Sequence, residues 1–85
     1  MARIIVDEIA YRSTDLYFSA FVVAQGTPIQ DVIREGRRCS FEFAPLTPDL
    51  WNALRSAWFD GTATVLARRY SETIRDLKGL VHERL

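Results

Sequence analysis

Residues 29–43 read IQDVIREGRRCSFEF, and this stretch predicts a β-hairpin. Two runs of residues that favour strands, 29–34 and 37–43, flank a short connection, Glu35-Gly36, in which glycine can take a positive φ. In the second run, Cys39, Phe41 and Phe43 alternate with Arg38, Ser40 and Glu42. Because side chains alternate between the two faces of a strand, this pattern predicts one apolar face and one polar face. The hairpin is the clearest element in the sequence.

A helix is predicted before the hairpin, over residues 14–25. Ser13, Thr14 and Asp15 offer side-chain oxygens to the unpaired N–H groups of a helix start, and no helix breaker follows until Gly26. The helix is apolar on nearly all sides, which is more apolar surface than a small monomer can cover with one core. This surplus predicts self-association.

Two further helices are predicted after the hairpin. Residues 47–49 supply a capping hydroxyl, a proline at the first helical position and an acid near the positive helix end, so a helix covers residues 48–59 and stops at Gly61. The last and longest helix starts at Thr62 or Thr64. Its apolar residues recur at helical spacing: Leu66, Tyr70, Thr73 or Ile74, Leu77 and Val81.

The predicted order of helix, hairpin, helix and helix describes an α+β fold. Residues 13–85 form a single domain, because a chain of 85 residues leaves room for one core only. Residues 1–12 are either an N-terminal extension or an edge strand, since the β-branched residues within 4–11 permit a short strand.

Cysteine and histidine counts limit how so small a domain can be stabilised. The single cysteine, Cys39, excludes an internal disulfide. One cysteine and one histidine, His82, are too few soft ligands for a structural zinc site. Because small domains otherwise rely on self-association, we expect a homo-oligomer with no metal and no cofactor.

Charge and hydropathy argue against two classes of partner. The formal net charge is zero and no segment carries a long run of one sign, so nucleic acid and anionic membranes are not indicated as partners. The longest apolar stretch, around residues 20–24, is far shorter than the roughly 20 residues that span a bilayer. The N-terminus lacks a basic region followed by a long apolar segment, so we expect a cytoplasmic protein.

The sequence predicts no catalytic residue. His82 belongs to the last turn of the chain, where an imidazolium is favoured by the negative helix end, and Cys39 lies on the apolar face of the hairpin, where it is expected in the core. The four glycines stand singly, unlike those of a phosphate-binding loop. These features predict a protein that is not an enzyme.

Arginines cluster at the hairpin turn and at the start of the last helix. Guanidinium groups beside an aromatic ring suit phosphates and bases. The predicted ligand-binding residues are Arg37, Arg38, Arg68, Arg69 and Tyr70. The alternative is that these arginines are solvated or pair with acids such as Glu35 and Glu72. If hairpins from two chains met at a symmetry axis, the doubled arginine cluster would form a pocket for a polyanion.

Five segments follow one another in a recognisable order between residues 13 and 82. They are STDLYFSAF at 13–21, Gly26, EGRRCSFEF at 35–43, WFDG at 58–61 and IRDLK at 74–78. In this order they resemble a family of short bacterial and phage proteins that is known as a domain of unknown function. The resemblance implies an association with phages and mobile elements and carries over no catalytic residue. Residues 1–12 depart from the family pattern.

Two functions are compatible with these features. The first is a homo-oligomeric binding protein, phage-encoded if the resemblance holds, that sequesters a small anionic ligand such as a nucleotide signal between subunits. The second is a protein-interaction module that inhibits or regulates a host protein through an exposed apolar face or a sheet edge.

Overall fold

A three-stranded antiparallel sheet forms one side of the molecule. The computed structural model describes residues 7–84, and its strands are β1 (Arg12–Ser13), β2 (Ile29–Glu35) and β3 (Arg38–Phe43), in the spatial order β1-β3-β2. The hairpin of β2 and β3 reverses at Gly36, whose φ of 63° is strained for residues with a Cβ. The predicted hairpin is confirmed, with its turn one residue later than expected.

Strand β1 is shorter and lies later in the chain than the strand predicted within residues 4–11. Residues 1–6 lie outside the described residues, and β1 pairs Arg12 with Glu42 and Ser13 with Phe41. Ile9 forms an isolated bridge with Leu46. The described part of the predicted extension therefore pairs with the rest of the domain.

Three helices complete the predicted α+β order: α1 (Leu16–Ala24), α2 (Pro48–Asp60) and α3 (Ala67–Arg84). Asp15 caps α1, because its Oδ1 accepts hydrogen bonds from the N–H groups of Tyr17 and Phe18 at 2.9 and 3.1 Å. The Thr47 hydroxyl caps α2 in the same way, accepting from the Leu50 N–H at 3.2 Å. These caps are side-chain oxygens next to the first helical residue, which is why the sequence predicts both helix starts.

Helix α3 starts later than predicted. The N–H groups of Thr62 and Ala63 both donate to the Ala57 carbonyl, at 3.0 and 2.9 Å, so these residues satisfy the end of α2 rather than begin α3. Leu66, which was expected on the apolar stripe of α3, precedes the helix and is 74% exposed. The buried stripe of α3 begins at Thr73 and includes Leu77.

The core surrounds α1, which packs against both the sheet and α3. Its buried members are Phe18, Ala20, Phe21, Val22, Val32, Phe41, Phe43, Leu46, Trp51, Leu54 and Leu77. Among the residues of α1 only Tyr17 is largely exposed, at 53%. The expectation that α1 leaves a surplus of apolar surface is therefore wrong, because elements on several sides of the helix cover it within one chain. Self-association stays a prediction, but it loses this support. No helix of residues 7–84 is long and apolar enough to cross a membrane.

Candidate ligand-binding site

An open cleft of about 450 Å³ lies where the end of β1 and the start of α1 approach α2. We call it the arginine cleft. The residues that line it are Arg12, Ser13, Thr14, Asp15, Phe18, Ser40, Trp51, Arg55 and Phe59. The volume is within the range of roughly 300–1,000 Å³ that is typical of small-molecule sites.

The inner wall of the arginine cleft is aromatic and held in place by stacking. Trp51 is 7% exposed, and its ring lies parallel to that of Tyr11, with centroids 4.5 Å apart and an interplanar angle of 5°. The ring of Phe18 meets Trp51 edge-on at 5.5 Å. Such contacts fix the ring orientation, so this wall is pre-formed rather than assembled by a ligand.

Helix α2 also supplies the outer wall. Trp51, Arg55 and Phe59 are four residues apart, which puts them on one helix face. The Cζ of Arg55 lies 5.9 Å from the centroid of the Phe59 ring, in cation–π range, and the Phe59 side chain is 75% exposed. Among residues 7–84, no carboxylate forms an ion pair with Arg55. This guanidinium group therefore keeps its hydrogen-bond donors available.

The second arginine of the cleft is held by an acid on the neighbouring strand. The Arg12 Nε donates to the Glu42 Oε1 at 3.1 Å, and the Gln30 side chain donates to the other carboxylate oxygen at 2.9 Å. These two hydrogen bonds, from Gln30 first and then from Arg12, lower the pKa of Glu42 below its usual value of 4.5. Among the described residues, the hydrogen bond of Arg12 to Glu42 engages Nε, so its two terminal NH₂ groups can still bind an anion.

One acid also lines the cleft, but helix α1 already uses it. The Asp15 Oδ1 accepts two backbone N–H groups of α1, and the Asp15 N–H donates to the Ser13 hydroxyl at 3.1 Å. Two arginines and one aspartate give the lining residues a formal charge of +1, and Glu42, which pairs with Arg12 from outside the lining, offsets one positive charge. Guanidinium groups, hydroxyls and an exposed ring together suit a ligand with an anionic group and a planar part.

The five predicted ligand-binding residues lie elsewhere. Arg37 and Arg38 are exposed at the hairpin turn. Arg68 is exposed, and its Nε donates to Glu72 at 3.1 Å, which is the alternative predicted for it. Arg69 lines a separate cavity of about 380 Å³ beside Gln25.

Tyr70 has a structural contact of its own. Its hydroxyl donates to the Tyr17 carbonyl at 3.1 Å and joins the start of α3 to α1. Burial, followed by the charges of Asp15 and Tyr17, raises the pKa of Tyr70 above its usual value of 10.0.

Within one chain the two predicted arginine groups lie apart. Arg69 is near the C-terminal end of α1, whereas Cys39, next to Arg38, shares a cavity with Lys78 and His82. Lys78 follows Arg69 by nine residues, which is about 14 Å along a helix axis at 1.5 Å per residue. The two arginine groups therefore do not line one cavity within a chain.

Sequence reasoning missed both arginines of the cleft. The spacing of Trp51, Arg55 and Phe59 was a usable signal, because residues four apart share a helix face. No local signal marks Arg12, because it reaches the cleft only through the pairing of β1 with β3.

Comparisons of the chain with protein-family models, curated proteins and solved structures find no match. The resemblance to short bacterial and phage proteins stays a prediction. Among the described residues, no group of three or more His, Cys, Asp or Glu side chains is arranged to hold a metal ion.

Proposed function

We propose that this protein is a non-enzymatic binding protein for a small anionic ligand with a planar part, such as a nucleotide, and that the arginine cleft holds it. The observation that carries the proposal is Arg55. Its guanidinium group lies over the exposed Phe59 ring, forms no ion pair with a described residue, and shares the cleft with Arg12.

The two arginines would act on the anionic group of the ligand. A guanidinium fork matches the oxygens of a phosphate or carboxylate, and such charge-assisted hydrogen bonds contribute about 1.5–3 kcal/mol each. The Ser13 and Ser40 hydroxyls at the cleft can add neutral hydrogen bonds. A phosphate group therefore has several donors to bind here.

Phe59 would hold the planar part of the ligand. Phe59 is 75% exposed at the cleft, and the Arg55 guanidinium group lies over its ring. A base could therefore stack on the ring or on the guanidinium plane. Exposed apolar surface that is rimmed by polar residues is typical of binding sites. A nucleotide has both parts: a phosphate group for the two arginines and a planar base for Phe59.

A second version of the proposal puts the ligand between subunits of a homo-oligomer, on Arg37, Arg38, Arg68, Arg69 and Tyr70. This version needs self-association, whereas the arginine cleft is complete in one chain. Arginine variants in the two places distinguish the versions.

The test is isothermal titration of the protein with a panel of cyclic and linear nucleotides. We expect wild-type protein to bind at least one, and Arg55→Ala to weaken its Kd about tenfold or more, as loss of one charge-assisted contact requires. Arg75→Ala is the matched control, because it removes an exposed arginine of α3 that belongs to neither of the two proposed sites. Binding that is unchanged in Arg55→Ala but lost in Arg37→Ala or Arg69→Ala would move the site to the subunit interface. Absence of binding to the whole panel would overturn the proposal.

One observation favours the second function, a protein-interaction module. Phe59 and Leu66 are 75% and 74% exposed, the most exposed of the large apolar residues that the structure describes, and exposed apolar surface is where a partner protein can bind. Native mass spectrometry of protein purified from its host separates the two functions. A retained small molecule supports the binding protein, whereas a stoichiometric second protein that is lost from a Leu66→Ser variant supports the interaction module.

A further inference from the structure

Glu42 lies just outside the arginine cleft and is bound to one of its two arginines. Its Oε1 accepts a hydrogen bond from the Arg12 Nε at 3.1 Å, and its Oε2 accepts one from the Gln30 side chain at 2.9 Å. These three residues belong to the three strands of the sheet, with Glu42 on the central strand, β3. The Arg12 guanidinium group is therefore tied to an acid that is itself held from the far side by an amide.

This carboxylate carries its negative charge close to the cleft. The hydrogen bonds from Gln30 and Arg12 lower the pKa of Glu42, so the side chain is ionised at neutral pH. Alternate residues of a strand share one face, so Glu42 lies on the same face of β3 as Ser40, which lines the cleft. The Glu42 side chain is only 18% exposed, and water and salt screen a partly buried charge less than an exposed one.

The other charged groups near the cleft do not outweigh Glu42. Arg38 lies on the same face of β3, but Glu35 is directly opposite it in the register of β2 and β3. Asp15 brings a second negative charge to the lining, whereas Arg55 forms no ion pair with a described residue. With Glu42 counted, the cleft has as many acids as arginines.

This balance limits how much negative charge a ligand can bring. A first anionic group receives charge-assisted hydrogen bonds from the two guanidinium groups, which act at contact distance. A further anionic group would meet positive charges that are already balanced, with no third arginine among the described residues of the lining. The cleft therefore has donors for one phosphate group rather than for a chain of them.

We infer that the arginine cleft selects nucleotides with a single phosphate group, and that Glu42 sets this limit by balancing the charge of Arg12. The inference rests on the proposed function, because it assigns the phosphate class of the nucleotide that the cleft holds. Glu42 acts through Arg12, so it determines specificity without contacting the ligand.

The experiment is isothermal titration with the 5′-mono-, di- and triphosphates of the four common ribonucleosides. Salt is kept low and Mg²⁺ is left out, because both mask phosphate charge. Wild-type protein should bind a monophosphate at least as tightly as the triphosphate of the same base. In Glu42→Gln, affinity for the triphosphate should rise at least about threefold more than affinity for the monophosphate, the factor for one pair of unit charges roughly 7 Å apart in water.

The variant and its control differ only in where the charge is removed. Glu42→Gln keeps the size of the side chain and an oxygen that can accept from Arg12. Asp76→Asn also removes one negative charge, from an exposed residue of α3 that does not line the arginine cleft, and it should leave the ratio of the two Kd values unchanged. Circular dichroism checks the fold of both variants, and the wild-type comparison needs no variant at all.

Two results would overturn the inference and leave the proposed function in place. One is a wild-type preference for any nucleotide with two or more phosphates. The other is a Kd ratio that Glu42→Gln leaves unchanged or that Asp76→Asn changes as much. Absence of binding to every nucleotide would instead overturn the proposed function, and the inference with it, so the two failures are distinguishable.

Discussion

Helices α1 and α3 pack against each other, yet only one of them has a solvent face. The nine residues of α1 carry no charge, and the helix is covered on almost every side. The 18 residues of α3 bury Thr73 and Leu77 on one stripe and expose charged residues such as Arg68 elsewhere. A helix that is apolar all round therefore marks the centre of this fold rather than a surface for another subunit.

The largest change in the free energy of unfolding is expected at a side chain of α1 that lies in the core. Phe21 is 3% exposed, and its ring lies 5.6 Å from that of Trp58. Phe21→Ala should lower the free energy of unfolding by about 3–5 kcal/mol, because it removes buried apolar surface and also leaves a cavity in the core. Urea denaturation followed by tryptophan fluorescence measures it. Leu66→Ala, at a residue 74% exposed, is the control and should change stability by less than about 0.5 kcal/mol. If Phe21→Ala and Leu66→Ala changed the free energy of unfolding equally, α1 would not lie at the centre of the core.

A smaller effect, of opposite sign, is expected at a buried hydroxyl of α1. The Ser19 side chain is fully buried, and its Oγ has no hydrogen-bond partner within residues 7–84. Ser19→Ala should raise the free energy of unfolding by about 1 kcal/mol, since it removes an unsatisfied polar group and introduces a better helix former. The same denaturation experiment tests it.

The matched position on α3 is Thr73, which is 9% exposed and donates its hydroxyl to the Arg69 carbonyl at 2.7 Å. Thr73→Val keeps the shape but loses this hydrogen bond, so it should not stabilise the protein as Ser19→Ala does. If Ser19→Ala destabilised the protein, the hydroxyl would have a partner in solution.

The smallest effect is expected on the solvent face of α3. Arg68 and Glu72 form an exposed ion pair four residues apart, with side chains 92% and 55% exposed. Arg68→Ala should lower the free energy of unfolding by less than about 0.5 kcal/mol, because water and salt screen such pairs. A loss above 1 kcal/mol, measured by urea denaturation in low and high salt, would show that this face of α3 packs against something.

Elements whose signals are local were predictable. The helix starts at Asp15 and Thr47 follow from capping oxygens, and the hairpin follows from alternation about Gly36. The start of α3 was not predictable. Thr62 and Thr64 resemble helix caps, but the Thr62 N–H donates to the Ala57 carbonyl at the end of α2. Competing hydrogen bonds between neighbouring elements are not visible in a pattern of residue types.

The candidate sites were harder to predict than the fold. Arginine–aromatic clusters in sequence pointed to Arg68, Arg69 and Tyr70, but Arg68 pairs with Glu72 and Tyr70 binds the backbone of α1. The arginine cleft combines residues from β1 and α2, and the cavity that Cys39 lines combines residues from β3 and α3. Neither set is adjacent in sequence.

By itself the sequence determined the α+β class and the order of helix, hairpin, helix and helix, because caps, turn glycines and alternation act between residues close in the chain. Only the tertiary structure decided that α1 is covered within one chain, since that depends on which faces of the sheet and α3 reach it. It also decided that Arg12 and Arg55 share a cleft, and that Cys39 shares a cavity with Lys78 and His82. Contacts between residues distant in sequence follow from packing, which no local pattern encodes.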